Sequence, residues 1–241
     1  MNEVIQQLFN RKSVRVFTEQ EISSECKNEI LAAATQAPTA GNQQLYTIID
    51  VTSQDLKNTL AETCDHQPFI AEAKMVLIFC ADYQKWYDAF VQTGCDPRIP
   101  GAGDLMLAVN DAVIAAQNAV VAAESLGIGS CYIGDIMENC EVHRELLHLP
   151  EYVFPTAMLV FGYPTEQQKE RKKPLRVDMK HIVHENGYRR MDAVELEEMF
   201  SKNINGRSYV EFMQMYGKRK YNSDFAREMS RSVWEYLKNY K

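Results

Sequence analysis

The chain has 241 residues, 46% of them hydrophobic and 24% charged, with a formal net charge of −7. That length builds one large domain or two small ones around a sizeable core, and the ordinary balance of apolar and charged residues excludes a disordered or fibrous chain. The acidic balance argues against nucleic acid as the main partner, yet leaves room for a local basic pocket that holds a small anion.

Residues 2–10 read as a short amphipathic helix with Val4, Ile5, Leu8 and Phe9 on one face. They lack the basic start and apolar middle of a signal peptide. A basic, β-leaning run follows at 11–17. Ser23 or Ser24 caps a helix through Thr35, with Cys26, Ile30, Leu31 and Ala34 facing inward. Residues 38–42 are a loop by composition. Tyr46–Val51 reads as a strand, Leu56–Cys64 as a helix, and Pro68 opens another short helix. The densest apolar run, 75–80, is too short to cross a bilayer and predicts a buried strand over 75–81. A cytoplasmic protein is expected.

Residues 95–103 form a Pro/Gly-rich turn region. A long alanine-rich helix then runs from Asp104 to Leu126. Its small side chains suit close packing, either within one chain or against a second copy. Gly127 fits the helix C-terminus, where positive φ is usual. A short strand follows at 130–133, and Gly134 marks close approach of the backbone to another backbone or to a ligand. His143–Leu147 is a helix closed by Pro150, and Pro155–Gly162 a further buried strand. A basic loop spans 169–176. The last fifty or so residues read as a polar helical appendage. Helices alternating with about four strands make a layered α and β domain, whose strand order one sequence does not reveal.

The six cysteines, Cys26, Cys64, Cys80, Cys95, Cys131 and Cys140, form no Cys-x-x-Cys pair and read as reduced structural thiols. His143, His148, His181 and His184 do not cluster, and no metal site is expected. A dinucleotide fingerprint is missing, since Gly101-Ala102-Gly103 lacks the third glycine and a preceding strand. A phosphate-binding Walker loop is missing too.

Three constellations carry possible chemistry. Arg11, Lys12, Ser13 and Arg15 are the first. In an extended segment Arg11, Ser13 and Arg15 share a face, and guanidinium forks with a hydroxyl suit a phosphate. The second is the basic loop 169–176, stiffened by Pro174. The third is Thr39 to Gln44, whose amides suit the edge of a heterocycle. Each segment alone also reads as solvated surface or turn.

Together these segments resemble the FMN-dependent nitroreductase and flavin reductase family, most closely its larger, NADPH-preferring, oxygen-insensitive branch. The resemblance runs from about Arg11 to about Tyr188. It rests on residues 11–17 (Arg-Lys-Ser-Val-Arg-Val-Phe), 37–44 (Ala-Pro-Thr-Ala-Gly-Asn-Gln-Gln), 79–82 (Phe-Cys-Ala-Asp), the stretch 116–134, 161–164 (Phe-Gly-Tyr-Pro) and 184–188 (His-Glu-Asn-Gly-Tyr).

The resemblance implies an α+β, three-layer fold: a central, mostly antiparallel sheet flanked by helices, with a C-terminal helical extension. Residues 1–190 would be the FMN-binding domain, and 191–241 an extension that is not an independent domain. It also implies a homodimer with FMN at the subunit interface, and NAD(P)H and a small electron acceptor as partners. Arg11, Lys12 and Ser13 would lie at the FMN phosphate and Arg15 near the pyrimidine end of the ring. Thr39, Ala40 and Asn42 would come from the other subunit. Gln67, Tyr132, Ile133, Gly134 and Asp135 would lie along the flavin, the Gly134 N–H aimed at N5. Lys173 would join the phosphate cluster, with either Arg176 or Arg171 in place of an arginine that relatives carry in a Lys-Pro-Arg run.

Two further departures stand out. Asp135 replaces a frequent glycine, which disfavours anionic substrates. The arginine-bearing loop that some relatives use for the NADPH 2′-phosphate is replaced at best by Lys218, Arg219 and Lys220. The implied activity is ping-pong reduction of nitroaromatics, quinones or free flavins by NAD(P)H, with flavin-centred chemistry and no catalytic side chain. A flavin-binding redox sensor, or a specialised flavoenzyme with low nitroreductase turnover, is the alternative.

Overall fold

The computed structural model describes residues 1–241. By internal contacts the chain divides into two units, residues 1–171 with 228–241, and residues 172–227.

The first unit is built on a four-stranded, fully antiparallel sheet in the order β1-β2-β4-β3, with β1 Tyr46–Asp50, β2 Met75–Asp82, β3 Gly129–Ile133 and β4 Val153–Gly162. The expected strands are all present. β2 and β4 are buried along their whole length, so both faces of the sheet must be covered. Period-2 alternation divides the side chains between those faces. Leu77, Phe79, Leu159 and Phe161 join one cluster with α2 (Ser24–Thr35) and α6 (Ala102–Ser125). Val76, Ile78, Met158 and Val160 join another with α3 (Gln54–Thr63) and α4 (Phe69–Glu72). The result is the three-layer α+β arrangement.

The small side chains of α6 explain its position. Ala108, Ala112, Ala115, Ala116, Ala119 and Ala123 are buried in the chain's own core, so close packing within one chain accounts for these alanines. By length and mean hydropathy this helix could cross a membrane, but here it is the packed centre of the domain. Its other side leaves Met106, Leu107, Val113 and Ile114 exposed. Gly127 ends it at φ +73, with Ile128 N–H donating to Ala123 O and Gly127 N–H to Glu124 O, a Schellman cap.

Two helices were not expected: α5 (Gln84–Gln92), which buries none of its residues completely and carries no side-chain cap, and the short α8 (Glu166–Glu170), which takes up the start of the expected basic loop. Another departure concerns α1 (Glu3–Asn10), whose apolar face stays exposed, Phe9 at 66%. The run 11–17 is not a regular strand. It meets the sheet at two isolated bridges, Ser13 with Ser130 and Phe17 with Pro164.

The helix α7 (Cys140–Leu146) starts from Asn139 in the left-handed region at φ 49 and has no cap of its own. Its first amides are met from far along the chain: Asn139 N–H donates to Glu228 Oε1 (3.2 Å) and Cys140 N–H to Ser232 Oγ (2.9 Å). Both partners lie on α11 (Asp224–Leu237). Further along, Tyr236 and Tyr240 are buried beside Phe154 and Tyr152. That packing brings residues 228–241 into the first unit. The second unit holds α9 (Ala193–Phe200) and α10 (Tyr209–Lys220), each opened by a capping box, Asp192 with Glu195 and Ser208 with Glu211. Its rings Tyr209, Phe200, Phe212 and Tyr216 follow one another in that order at centroid spacings of 5.7–6.3 Å.

Candidate functional site

Residues 11–15 are held against β3 by backbone contact. Val14 N–H donates to Ser130 O at 2.9 Å, and a Cβ on Gly129 would come within 2.6 Å of Val14 Cγ2. At the far end a Cβ on Gly162 would come within 2.5 Å of the Phe17 ring. Gly129 and Gly162 face each other across the β3–β4 ladder. Two facing glycines therefore let the arginine-bearing segment lie closer to the sheet than any side chain would permit.

On this seat the cations converge. The Arg171 guanidinium donates to Ser13 O. Lys12 Nζ donates to Lys169 O (2.6 Å) and to Arg171 O, so Lys12 ties down the end of α8, just before Lys172. Arg15 N–H reaches Gln168 Oε1 at 3.4 Å, and the Arg15 guanidinium lies over the Phe69 ring at 5.7 Å from its centroid. Arg11 Nε and Nη2 and Arg171 Nε are buried with no hydrogen-bond partner. Buried guanidinium protons left unmatched are costly; an anion with several acceptor oxygens satisfies them. Of the two arginines left open by the sequence, Arg171 is the one at Ser13. Lys173 and Arg176 fall in the second unit, in the irregular stretch 172–178.

β3 carries the next group. Alternation turns Cys131 and Ile133 into the core at 1% and 2% exposure. Burial raises the Cys131 thiol against the opposing pull of Arg15, Ser13 and Arg11, which leaves it a poor nucleophile. Tyr132 points the other way, its hydroxyl donating to Gln117 Oε1 (3.3 Å) and pushed up to about 12 by burial. Gly134 has φ −81, a conformation open to any residue, and a Cβ there would meet only Met137 Cε at 3.9 Å. No backbone presses on Gly134, and it is exposed to solvent. Beside it, Gln67 Nε2 donates to Asp135 Oδ2 (3.0 Å) and to Cys64 O (2.8 Å). Both amide protons of Gln67 are thereby engaged.

The loop with Thr39, Ala40 and Asn42 is held by a residue the sequence did not flag. Asp111, 2% exposed on α6, accepts from Ala40 N–H (2.9 Å) and Leu45 N–H (3.1 Å). In an alanine-rich helix it reads as part of a polar face. The loop leads into β1, whereas Arg11 to Arg15 lie beside β3, the opposite sheet edge. Three interstrand spacings, roughly 14 Å, separate those edges.

Glu138 was also missed. It is 4% exposed and its Oε1 has no partner. Burial, then Asp135, Asp65 and Glu228, push its carboxyl up to about 7. Between the free-glutamate range and pH 7 the folded chain therefore keeps a proton that the unfolded chain has released. Stability falls as pH rises through this window and levels off above it. Glu138→Gln removes that slope and stabilises the protein at pH 8 by roughly 2 kcal/mol; urea unfolding at pH 5 and pH 8 checks it, and an unchanged slope refutes the assignment.

Residues 8–163 match the family described as the Nitroreductase family. The FMN reductase (NAD(P)H) of Bacillus subtilis is 33% identical over 245 aligned residues, covering 98% of this chain and 91% of that protein. The oxygen-insensitive NADPH nitroreductase of Salmonella typhimurium is 34% identical, covering 80% of this chain and 77% of that protein. Among solved structures, the NADPH:FMN oxidoreductase of Vibrio harveyi, complexed with NAD+, superposes with a TM-score of 0.77 at 27% identity, over 98% of this chain and 97% of that one.

Proposed function

The chain belongs to the nitroreductase family, and we propose that its site holds FMN and carries electrons from NAD(P)H to nitroaromatics, quinones or free flavins in a ping-pong cycle. The observation that carries this reading is the pair of buried, unpartnered guanidinium nitrogens of Arg11, two residues before Ser13, whose carbonyl Arg171 holds, a set whose donors suit a phosphate.

Bound FMN supplies two-electron chemistry through its ring. The chain's part is to bind and orient. Arg11, Ser13 and Arg171 take the phosphate, while Lys12 stiffens the loop that presents Arg171. Arg15, propped on Phe69, sets positive charge at the pyrimidine end, where negative charge gathers. Tyr132, Ile133 and Gly134 would line the ring, Gly134 would offer its exposed backbone to it, and Gln67, its amide protons already engaged, would offer its oxygen.

Thr39, Ala40 and Asn42 of a second copy complete the site. The placement of that loop at the opposite sheet edge supports a homodimer, as do the exposed apolar rows of α1 and α6. Residues 1–190 carry the cofactor and 191–241 form an extension that does not fold alone, in a cytoplasmic protein.

Anaerobic stopped-flow mixing of the FMN-loaded protein with NADH or NADPH tests the activity. Rapid bleaching of the flavin band by one donor, reversed by a nitroaromatic or quinone, is the expected result. FMN that stays oxidised with both donors overturns it in favour of a sensor.

A further inference from the structure

The cationic end of the site has an acidic counterpart. Ser13 lies beside Ser130, and four residues of extended chain, roughly 13 Å, lead from there to Gly134. Asp135 follows, half-buried, its carboxylate oriented by Gln67. Residues 135–137 form one turn of 3₁₀ helix, and Glu138 N–H donates to Asp135 O at 3.0 Å. The turn keeps Glu138 close to Asp135, near enough for the two carboxyls to interact. Its surroundings offer it no cation in direct contact. Asp65 and Cys64 face it from the end of α3, His143 from α7 and Glu228 from α11. The nearby Arg231 is already paired with Glu141 and Glu228. Glu138 Oε1 remains buried without a partner.

We propose that Asp135, backed by Glu138, sets the charge preferred at the reacting end of the electron acceptor: neutral and cationic groups are favoured there, carboxylates and oxyanions disfavoured. This rests on the flavin lying along residues 132–134. An acceptor stacked there sits within several ångströms of the Asp135 carboxylate, a distance at which one like charge near a protein surface changes affinity about ten-fold. Glu138 makes the discrimination depend on pH. While it holds its proton the acceptor end carries one negative charge, and once ionised it adds a second.

The test uses the oxidised, FMN-loaded protein and a pair of non-reducible probes of the same shape, benzoate and benzamide. Binding is read from the perturbation of the flavin spectrum, so turnover is not required. The wild-type protein is expected to bind benzamide about ten-fold more tightly than benzoate, with benzoate losing further affinity between pH 6 and pH 8 and benzamide holding constant. Asp135→Asn raises benzoate affinity about ten-fold and leaves benzamide unchanged. Glu138→Gln abolishes the pH dependence for benzoate alone. Equal binding of the two probes by the wild-type protein at both pH values overturns the proposal without recourse to any variant. A wild-type protein that retains no FMN refutes the parent reading instead, and this one with it.

Discussion

Replacing Arg11 with glutamine weakens FMN binding at least about 100-fold, yet leaves the apoprotein as stable as before or more so. Arg11 brings to the site a guanidinium whose Nε and Nη2 are buried and unpartnered. Without an anion those atoms carry a desolvation cost and no return, so their removal does not weaken the empty fold. With a phosphate present, two charge-assisted hydrogen bonds form, each of about 1.5–3 kcal/mol. Their sum corresponds to a loss of about 100-fold or more. Titration of apoprotein against FMN fluorescence gives the affinity, and thermal melting without FMN gives the stability. A variant that melts early and binds FMN normally would show that Arg11 is a packing residue, and the phosphate assignment would fall.

The second large effect comes from a single uncharged methyl group. Gly129→Ala is expected to destabilise the protein by about 2 kcal/mol, a fall in Tm of about 4–8 °C at this size. The new Cβ would lie 2.6 Å from Val14 Cγ2 and 2.8 Å from Val14 Cβ. Val14 is β-branched and 4% exposed, so it has no free rotamer to retreat into. Relief requires moving residues 11–15 off β3, and the same displacement lowers FMN affinity, by about ten-fold if it costs the site one neutral hydrogen bond. Val14→Gly removes both close contacts. The double variant Gly129→Ala with Val14→Gly is expected to be more stable than the sum of the single effects by about 1 kcal/mol or more. Strict additivity would mean that the close approach is not what constrains glycine at position 129.

Local chemistry made much of the fold legible. β2 and β4 announce themselves as unbroken apolar runs, and α2 by Ser23, whose side chain accepts from Cys26 N–H. The helix α5 was invisible because Gln84, Lys85 and Asp88 interrupt its aromatic residues and no capping side chain marks its start. At the site, the density of charge at 11–15 suited an anion, although the same run read equally well as a solvated basic edge. The choice between Arg171 and Arg176 was not legible, since it depends on how the loop after β4 folds back over Ser13. Glu138 and Asp111 illustrate a deeper limit. Nothing local distinguishes them from solvated residues. Glu138 is buried beneath α11, some ninety residues later in the chain, and Asp111 finds its amide partners on a loop about seventy residues earlier.

The return of residues 228–241 to the first unit bears on how the protein is made. Glu228 and Ser232 cap α7, Tyr236 and Tyr240 seal the end of the sheet, and Lys241 N–H donates to Pro100 O at 3.1 Å. Domains ordinarily fold as they emerge during translation, at about 5–20 residues per second. Here the sheet and its first helices leave the ribosome many seconds before the pieces that close them. In that interval the nascent chain displays an uncapped α7 and an open aromatic seam at Tyr152 and Phe154, surfaces on which a holding chaperone can act.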